Sequence, residues 1–386
     1  MLVAFLCRRE DMTASLMIAN RQTWFGAGSI GQLLPLLQAE RLPTLLFSCR
    51  SFMQGTAYAG LADRLAPLLT GVEIVGHEAS PGDIDQWTAR WRGKVRRVVA
   101  IGGGSVLDAA KAFAAMVEHP LPTLRYMEKV GDSNVTGATL PVIAIPTTAG
   151  TGSEATQNAV ITDTGPHKVK ASLRHPAFVP ATAILDPDLL AGAPDTVLAH
   201  CAIDAFTHLF ESYLSGAASR FSREMSLCGL GLFLEAWPAL NRGAEAREAI
   251  MQASYLGGLT LSMAGLGVIH GIAGEVGALR PYHHGQVCGR LLLPFLALLA
   301  DSEHPEQRAL MAALSARLLP GAPSAPARYL SEFITARAVA PFWQDDLPLS
   351  RQELDTAKEK SNSKNAVLTY SPEQRQSLIE QAFRIE

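Results

Sequence analysis

The sequence predicts an α/β domain with a parallel sheet over residues 1–193, followed by an all-helical domain over residues 194–386, on three observations. Short β-rich runs alternate with helix-patterned ones through the first half; a glycine triplet joins one such strand to its helix at 102–104; and the β-rich runs stop after about residue 193. Alternation of this kind lays strands parallel and packs helices onto them.

Taken in order, TLLFS (44–48), VEIVG (72–76), RRVVAIG (96–102) and PVIAIPT (141–147) are the expected strands. Helical periodicity fills the gaps at 56–69, 82–92 and 105–117. NAVITD and KVKASL read as a hairpin, and TAILDPDLL (182–190) ends the α/β region. Beyond it helices are expected at roughly 195–215, 219–237, 244–264, 305–318, 325–337 and 371–384, with Asp195 as the first N-cap. The stretch KEKSNSKNAVLTYS (358–371) reads as a polar loop.

Composition narrows the function classes. With 48% hydrophobic and 18% charged residues, 386 positions are enough for two sizeable cores. A net charge of −3, with no Lys/Arg cluster interleaved with aromatics, gives no face for nucleic acid. Five scattered cysteines without a C-x-x-C pair indicate neither a disulfide framework nor a thiolate zinc site and suit a reducing cytoplasm. No uncharged run of about 20 residues is present to span a bilayer. The opening MLVAFLCRRE has too short an apolar run, with its arginines on the wrong side, for a signal peptide.

Two polar segments suit a nucleotide. In VVAIGGGSVLDAAKA, Gly102, Gly103 and Gly104 let backbone N–H groups approach a phosphate, and Ser105 with the helix N-terminus adds donors and a favourable dipole. The spacing is not G-x-G-x-x-G, so an ordinary tight turn fits the same residues. IPTTAGTGSEATQNAVITD crowds hydroxyls and glycines after a strand, as a loop holding a cofactor's phosphate or nicotinamide end would.

A third constellation suits a metal. Asp204 and His208, four apart in HCAIDAFTHLFESYLS, share one helix face and can address one cation. His270 in GLGVIHGIAG and His284 in PYHHGQVCG would complete a set of three histidines and one carboxylate. Such ligands suit Fe(II), Zn(II), Co(II) or Ni(II), and spacing does not choose among them.

AIGGGSVLDAAKA, IPTTAGTGSEAT, AILDPDLL, AIDAFTHLFESYLS and GLGVIHGIAG followed by HHG, in that order, resemble the blocks of the iron-containing (group III) metal-dependent alcohol dehydrogenases. The resemblance runs from about residue 22 to the end. It implies a Rossmann-like dinucleotide-binding domain and an all-α domain in the dehydroquinate synthase-like two-domain architecture, with a catalytic metal in the cleft between them. Carried across, it makes Asp204, His208, His270 and His284 the ligands of Fe(II), with Zn(II) as the alternative. It assigns Gly102, Gly103, Gly104 and Ser105 to the pyrophosphate, and Thr147, Thr148 and Thr151 to the phosphate and nicotinamide side. It places Asn158 and Lys170 near the cofactor, makes Glu211 a residue that orients a ligand, and suggests a homodimer.

Three positions depart from the family pattern. A histidine usual four residues after the third ligand is Gly274 here, leaving proton transfer to Glu275, His283, a ribose hydroxyl or water. The family's P-H-G has become His283-His284-Gly285, which adds His283 to the catalytic set. Where NAD-preferring members carry an acid, Ser48 and Cys49 precede Arg50, which favours NADPH over NADH because an acid repels a 2′-phosphate and an arginine accepts it.

The expected activity is hydride transfer between NAD(P)H and a small aldehyde or alcohol. HHGQVCGRLLLP and SNSKNAVLTYSPEQ look closest to phosphonoacetaldehyde-type reductases, with His283 or Arg290 meeting the phosphonate. The alternatives are a reductase of a neutral aldehyde of the lactaldehyde or butanal type, a dehydroquinate synthase-like lyase, against which His208 argues, and a non-catalytic sensor.

Overall fold

The computed structural model of the protein describes residues 15–165, 167–240, 242–337 and 348–386. The MLVAFLCRRE segment lies outside these residues.

Among the described residues eight strands form two sheets: β1 (Gln22–Phe25), β2 (Thr44–Ser48), β3 (Gly71–Ile74), β4 (Arg97–Gly102), β5 (Val142–Pro146), β6 (Asn158–Asp163), β7 (Val169–Arg174) and β8 (Thr182–Leu185). Six of them make an all-parallel sheet in the order β1-β8-β5-β4-β2-β3, and β6 and β7 pair antiparallel. Strands β4 and β5 are buried at every position. Their unbroken apolar runs are what a strand covered on both faces requires. The covering helices of this half are α1 (Leu33–Ala39), the single-turn α2 (Arg50–Met53), α3 (Thr56–Ala59) and α4 (Ala62–Leu65), then α5 (Pro81–Trp91) and α6 (Gly104–Met116). Helix α5 starts with a capping box between Ser80 and Asp83.

The long helix expected at 56–69 is absent. The segment breaks into α3, α4 and a 3-10 turn at Ala66–Leu68. Gly60 weakens the helix, and Pro67 brings no N–H to continue it.

The second half is helical: α7 (Asp195–Tyr213), α8 (Arg220–Ala236), α9 (Ala244–Ala264), α10 (Val268–Leu279), α11 (His284–Ala300), α12 (Pro305–Leu318), α13 (Pro326–Ala336), α14 (Arg351–Lys360) and α15 (Pro372–Ala382). Helix α7 is buried on every side from Leu198 to Tyr213, as the central helix of a bundle must be. It nevertheless carries His200, Asp204, Thr207, His208, Glu211 and Ser212 inside. Groups of this kind cost free energy when buried without partners, so α7 locates the site. Among the described residues no single helix is long and apolar enough to cross a membrane.

Glycines fix how the two halves meet. A Cβ on Gly150 would stand 2.7 Å from the Cys201 carbonyl of α7, and one on Gly152, whose φ is +60°, would stand 2.6 Å from Gly258 of α9. The loop after β5 therefore lies directly on α7, which carries Asp204 and His208, and on α9.

Candidate metal and cofactor site

The Oδ1 atom of Asp204 is buried and makes no hydrogen bond. Around it stand the Nε2 atoms of His270 and His284, each at 3.6 Å, and that of His208 at 3.8 Å. These separations are too long for hydrogen bonds. They match the ~3–4 Å between atoms sharing one cation at bond lengths of about 2.0–2.2 Å. The donor set therefore fits a divalent ion of the Fe(II) or Zn(II) kind.

Neighbouring groups orient two of the rings. Nδ1 of His270 donates to Glu211 Oε2 at 2.7 Å, and Nδ1 of His208 donates to the Gly150 carbonyl at 3.3 Å, which leaves both Nε2 lone pairs facing Asp204. Burial pushes His208 down to about 4 and His284 to about 3, so both rings are neutral near pH 7. Against its own desolvation, Asp204 is held well below the usual carboxylate range by His208, His284 and His270. Desolvation favours a neutral His270 as well, but Cys288, Asp204 and Glu211 outweigh it and raise this imidazole. Two buried carboxylates thus face a single readily protonated ring, and a divalent cation would balance them.

Glu211 also accepts from the backbone N–H of Ile269 at 2.6 Å and of His270 at 3.3 Å, at the start of α10. Gly267 makes room for it, since a Cβ there would lie 2.7 Å from Glu211 Oε1. Glu211→Gln keeps the size and loses the charge. It is expected to weaken cation affinity by about 10–100-fold, read by chelator competition, while the fold persists. Unchanged affinity would remove Glu211 from the site.

The four expected donors open onto a cavity of about 470 Å³ between the two halves. Gly104, Ser105, Thr151, Asn158 and Lys170 line its other side. Gly102, Gly103, Thr147 and Thr148 are not in the lining, but they build the turn: a Cβ on Gly103 would touch Thr148 Oγ1 at 3.2 Å, and one on Gly104 would clash with Thr151 Cγ2 at 2.5 Å. At the far strand end Ser48 is fully buried, its hydroxyl donating to the Ile101 carbonyl at 2.9 Å, while Arg50 is exposed. Ser48 therefore has no hydroxyl to spare for a ribose phosphate.

The ring of His283 lies against that of His200 at 4.9 Å, and neither His283 nor Arg290 lines the cavity. Glu275 does line it and pairs with Lys129 at 2.6 Å. At Gly274 a Cβ would meet nothing within 4 Å, so this wall is open.

Sequence reading missed Cys288, whose Sγ is 3.7 Å from Nε2 of both His270 and His284. Ligand atoms of Asp204, His270, His284 and Cys288 all lie within 4.8 Å of one another. The signal was the i,i+4 spacing from His284, legible only once 284–300 is known to be helical. Burial keeps the Cys288 thiol raised.

Comparison with known proteins identifies the family. Residues 20–187 match the model of the iron-containing alcohol dehydrogenases and residues 198–338 that of the C-terminal region of the same family. The chain is 37% identical over 280 residues to the probable alcohol dehydrogenase EutG of Salmonella typhimurium, covering 70% of this chain and 69% of that protein. It is 29% identical over 294 residues to the lactaldehyde reductase of Escherichia coli (strain K12), covering 73% and 74%. Its fold is similar to that of the sulfoacetaldehyde reductase of Bifidobacterium kashiwanohense, solved with NAD+, at TM-score 0.79, 21% identity and 95% and 98% coverage. With both family regions matched in order around a buried Asp-His cluster, the chain belongs to the iron-containing alcohol dehydrogenase family.

Proposed function

We propose that the protein reduces a small aldehyde with NADPH, NADH being the alternative, at a divalent cation held by Asp204, His208, His270 and His284. Fe(II) is the proposed ion and Zn(II) the alternative. The observation that carries the reading is the buried Asp204 oxygen without a hydrogen bond, faced by three imidazole nitrogens in the cavity onto which the glycine turn also opens. When bound, such a cation supplies Lewis-acid polarisation of a carbonyl oxygen, and a reduced nicotinamide supplies a hydride.

The chain's own residues do the positioning. Amides at the start of α6, at Gly104 and Ser105, suit the pyrophosphate, and the hydroxyls of Thr147, Thr148 and Thr151 suit the nicotinamide end. Asn158 and Lys170 complete that wall, with Lys170 held by Glu78 at 2.5 Å. His283, next to His284 in the chain, completes the proposed catalytic set. We place the boundary between the two domains at 193/194, just before α7. Exposed Trp24 and Phe25 on the edge strand β1 support a homodimer. The free thiols of Cys49, Cys201, Cys228 and Cys288 support a reducing cytoplasm.

The substrate we propose is phosphonoacetaldehyde, giving 2-hydroxyethylphosphonate. A neutral aldehyde is the second reading, favoured by the likeness to lactaldehyde reductase. Initial rates of Fe(II)- or Zn(II)-reconstituted protein with both nicotinamides, for phosphonoacetaldehyde beside lactaldehyde, propanal and butanal, separate the two. A rate with the phosphonate far above the others supports the first reading; equal or better neutral rates leave the second.

Coenzyme choice is tested at Arg50. Arg50→Ala is expected to lower kcat/KM for NADPH relative to NADH by about 10–100-fold, the worth of one charge-assisted contact to the 2′-phosphate. An unchanged ratio would leave NADH as the working coenzyme.

A further inference from the structure

We propose that Lys364 is an anion seat in the substrate cavity and selects aldehydes that carry a compact anionic head group, a phosphonate, sulfonate or carboxylate, at the end away from the carbonyl. The inference rests on reading this cavity as the aldehyde site.

The first support is a charge balance. The other lysines and arginine lining the cavity are matched with carboxylates: Lys129 with Glu275 at 2.6 Å, Lys170 with Glu78 at 2.5 Å and Arg174 with Glu128 at 3.0 Å. Asp108 is within 3.6 Å of Lys111 and accepts from Ser153 at 2.5 Å. Asp204 belongs to the histidine cluster. Lys364 lines the same cavity, and its ammonium has no partner among the described residues. Partial desolvation lowers its pKa; Glu211 pulls the other way, and the Arg174 and Lys129 cations lower it further. An anion arriving here meets an ammonium that no carboxylate among the described residues contacts directly, Glu211 acting on it only through space.

The backbone supplies the second support. Lys364 has φ +45°, a left-handed conformation that is strained for a side-chain-bearing residue and persists only where surroundings impose it. The surroundings do impose it. Asn362 Oδ1 accepts the Lys364 N–H at 2.9 Å, a Cβ on Gly271 would stand 1.8 Å from the Asn362 carbonyl, and one on Gly265 would stand 2.1 Å from Asn365 Oδ1. Two glycines therefore let this loop press onto α10 one residue after His270. Beyond that crossing, α10 presents Gly274, with open space where a side chain would begin. The cavity thus combines the metal-ligand cluster, a free volume and an unmatched ammonium.

The test uses the metal-loaded full chain and compares wild type with Lys364→Met, which keeps the length, and Lys364→Arg, which keeps the charge. The first readout is the ratio of kcat/KM for phosphonoacetaldehyde, sulfoacetaldehyde or malonic semialdehyde to that for propanal. The second is calorimetric binding of the unreactive ethylphosphonate and ethanesulfonate. Lys364→Met is expected to lower the anionic-to-neutral ratio by about 10–100-fold, chiefly through KM, and to weaken ethylphosphonate in parallel, with Lys364→Arg restoring most of both. Which anion loses most identifies the head group. A ratio and an ethylphosphonate affinity unmoved by Lys364→Met overturn the seat while leaving the reductase intact. Absence of turnover with every aldehyde overturns the proposed reaction instead, and the seat then stands or falls on whether ethylphosphonate binds wild type and is lost in Lys364→Met.

Discussion

His270→Ala is expected to remove bound cation and turnover together, with kcat/KM falling by at least ~10³-fold, as the loss of several kcal/mol of transition-state stabilisation requires. His270 is the best connected of the imidazoles: its Nε2 stands 3.6 Å from Asp204 Oδ1, while Nδ1 is fixed by Glu211. Removing the ring also strands Glu211, buried with its charge and left with two backbone donors. The same ligation carries a stability signature. A cation at one hundred times its dissociation constant stabilises the folded chain by about 2.7 kcal/mol. A chelator should therefore lower the Tm of wild type by several degrees and leave that of His270→Ala unmoved. Metal content per chain and Tm with and without chelator give the answer. A variant that keeps its metal but not its turnover would show that His270 acts on the substrate and not on the cation.

Most of this site was legible because its residues sit on elements with strong periodic patterns. The strand at 44–48 and the helices at 244–264 and 305–318 have the limits the sequence predicts, and Asp204 and His208 occupy one face of α7 as their spacing requires. What escaped, besides β1, α1 and α14, was the region from 266 to 300. Gly271, Gly274 and Gly277 within α10 and Pro294 within α11 lower local helix propensity, so the pattern did not read as helical. Burial of both helices against their neighbours decides the matter, since tertiary packing overrides propensity. Because α11 was not foreseen, neither was Cys288. Lys364 was hidden for another reason. A loop residue 94 positions from His270 (364 − 270) comes to the cavity only because glycines at 265 and 271 admit it, and no local pattern announces that approach. Ser48 shows the converse: its place at the strand end suggested a cofactor contact, yet the pleat turns its hydroxyl inward to Ile101.

Gly285→Ala is expected to be among the most damaging single-methyl additions to this fold. The position is in the first turn of α11, directly after His284. Its added Cβ would lie 2.1 Å from the His200 carbonyl oxygen and 3.4 Å from Asp204 Cβ. The first contact is with helix backbone, so no rotamer change relieves it, and α11 must move away from α7. Overpacking of this kind costs about 1–3 kcal/mol, a drop in Tm of roughly 2–12 °C for a domain of this size. Moving α11 moves His284 relative to Asp204, so cation affinity should fall, by roughly 10-fold for each ~1.4 kcal/mol of ligation lost. Gly274→Ala is the control on the neighbouring helix. A methyl there meets nothing within 4 Å, and replacing a helical glycine lowers the entropy of the unfolded chain. That variant should keep or raise Tm by an amount corresponding to about 0.4–1 kcal/mol. If both variants bind metal and melt like wild type, close approach of α11 to α7 does not set the ligand spacing. If only Gly285→Ala fails, the contact between these two backbones is what holds His284 beside Asp204.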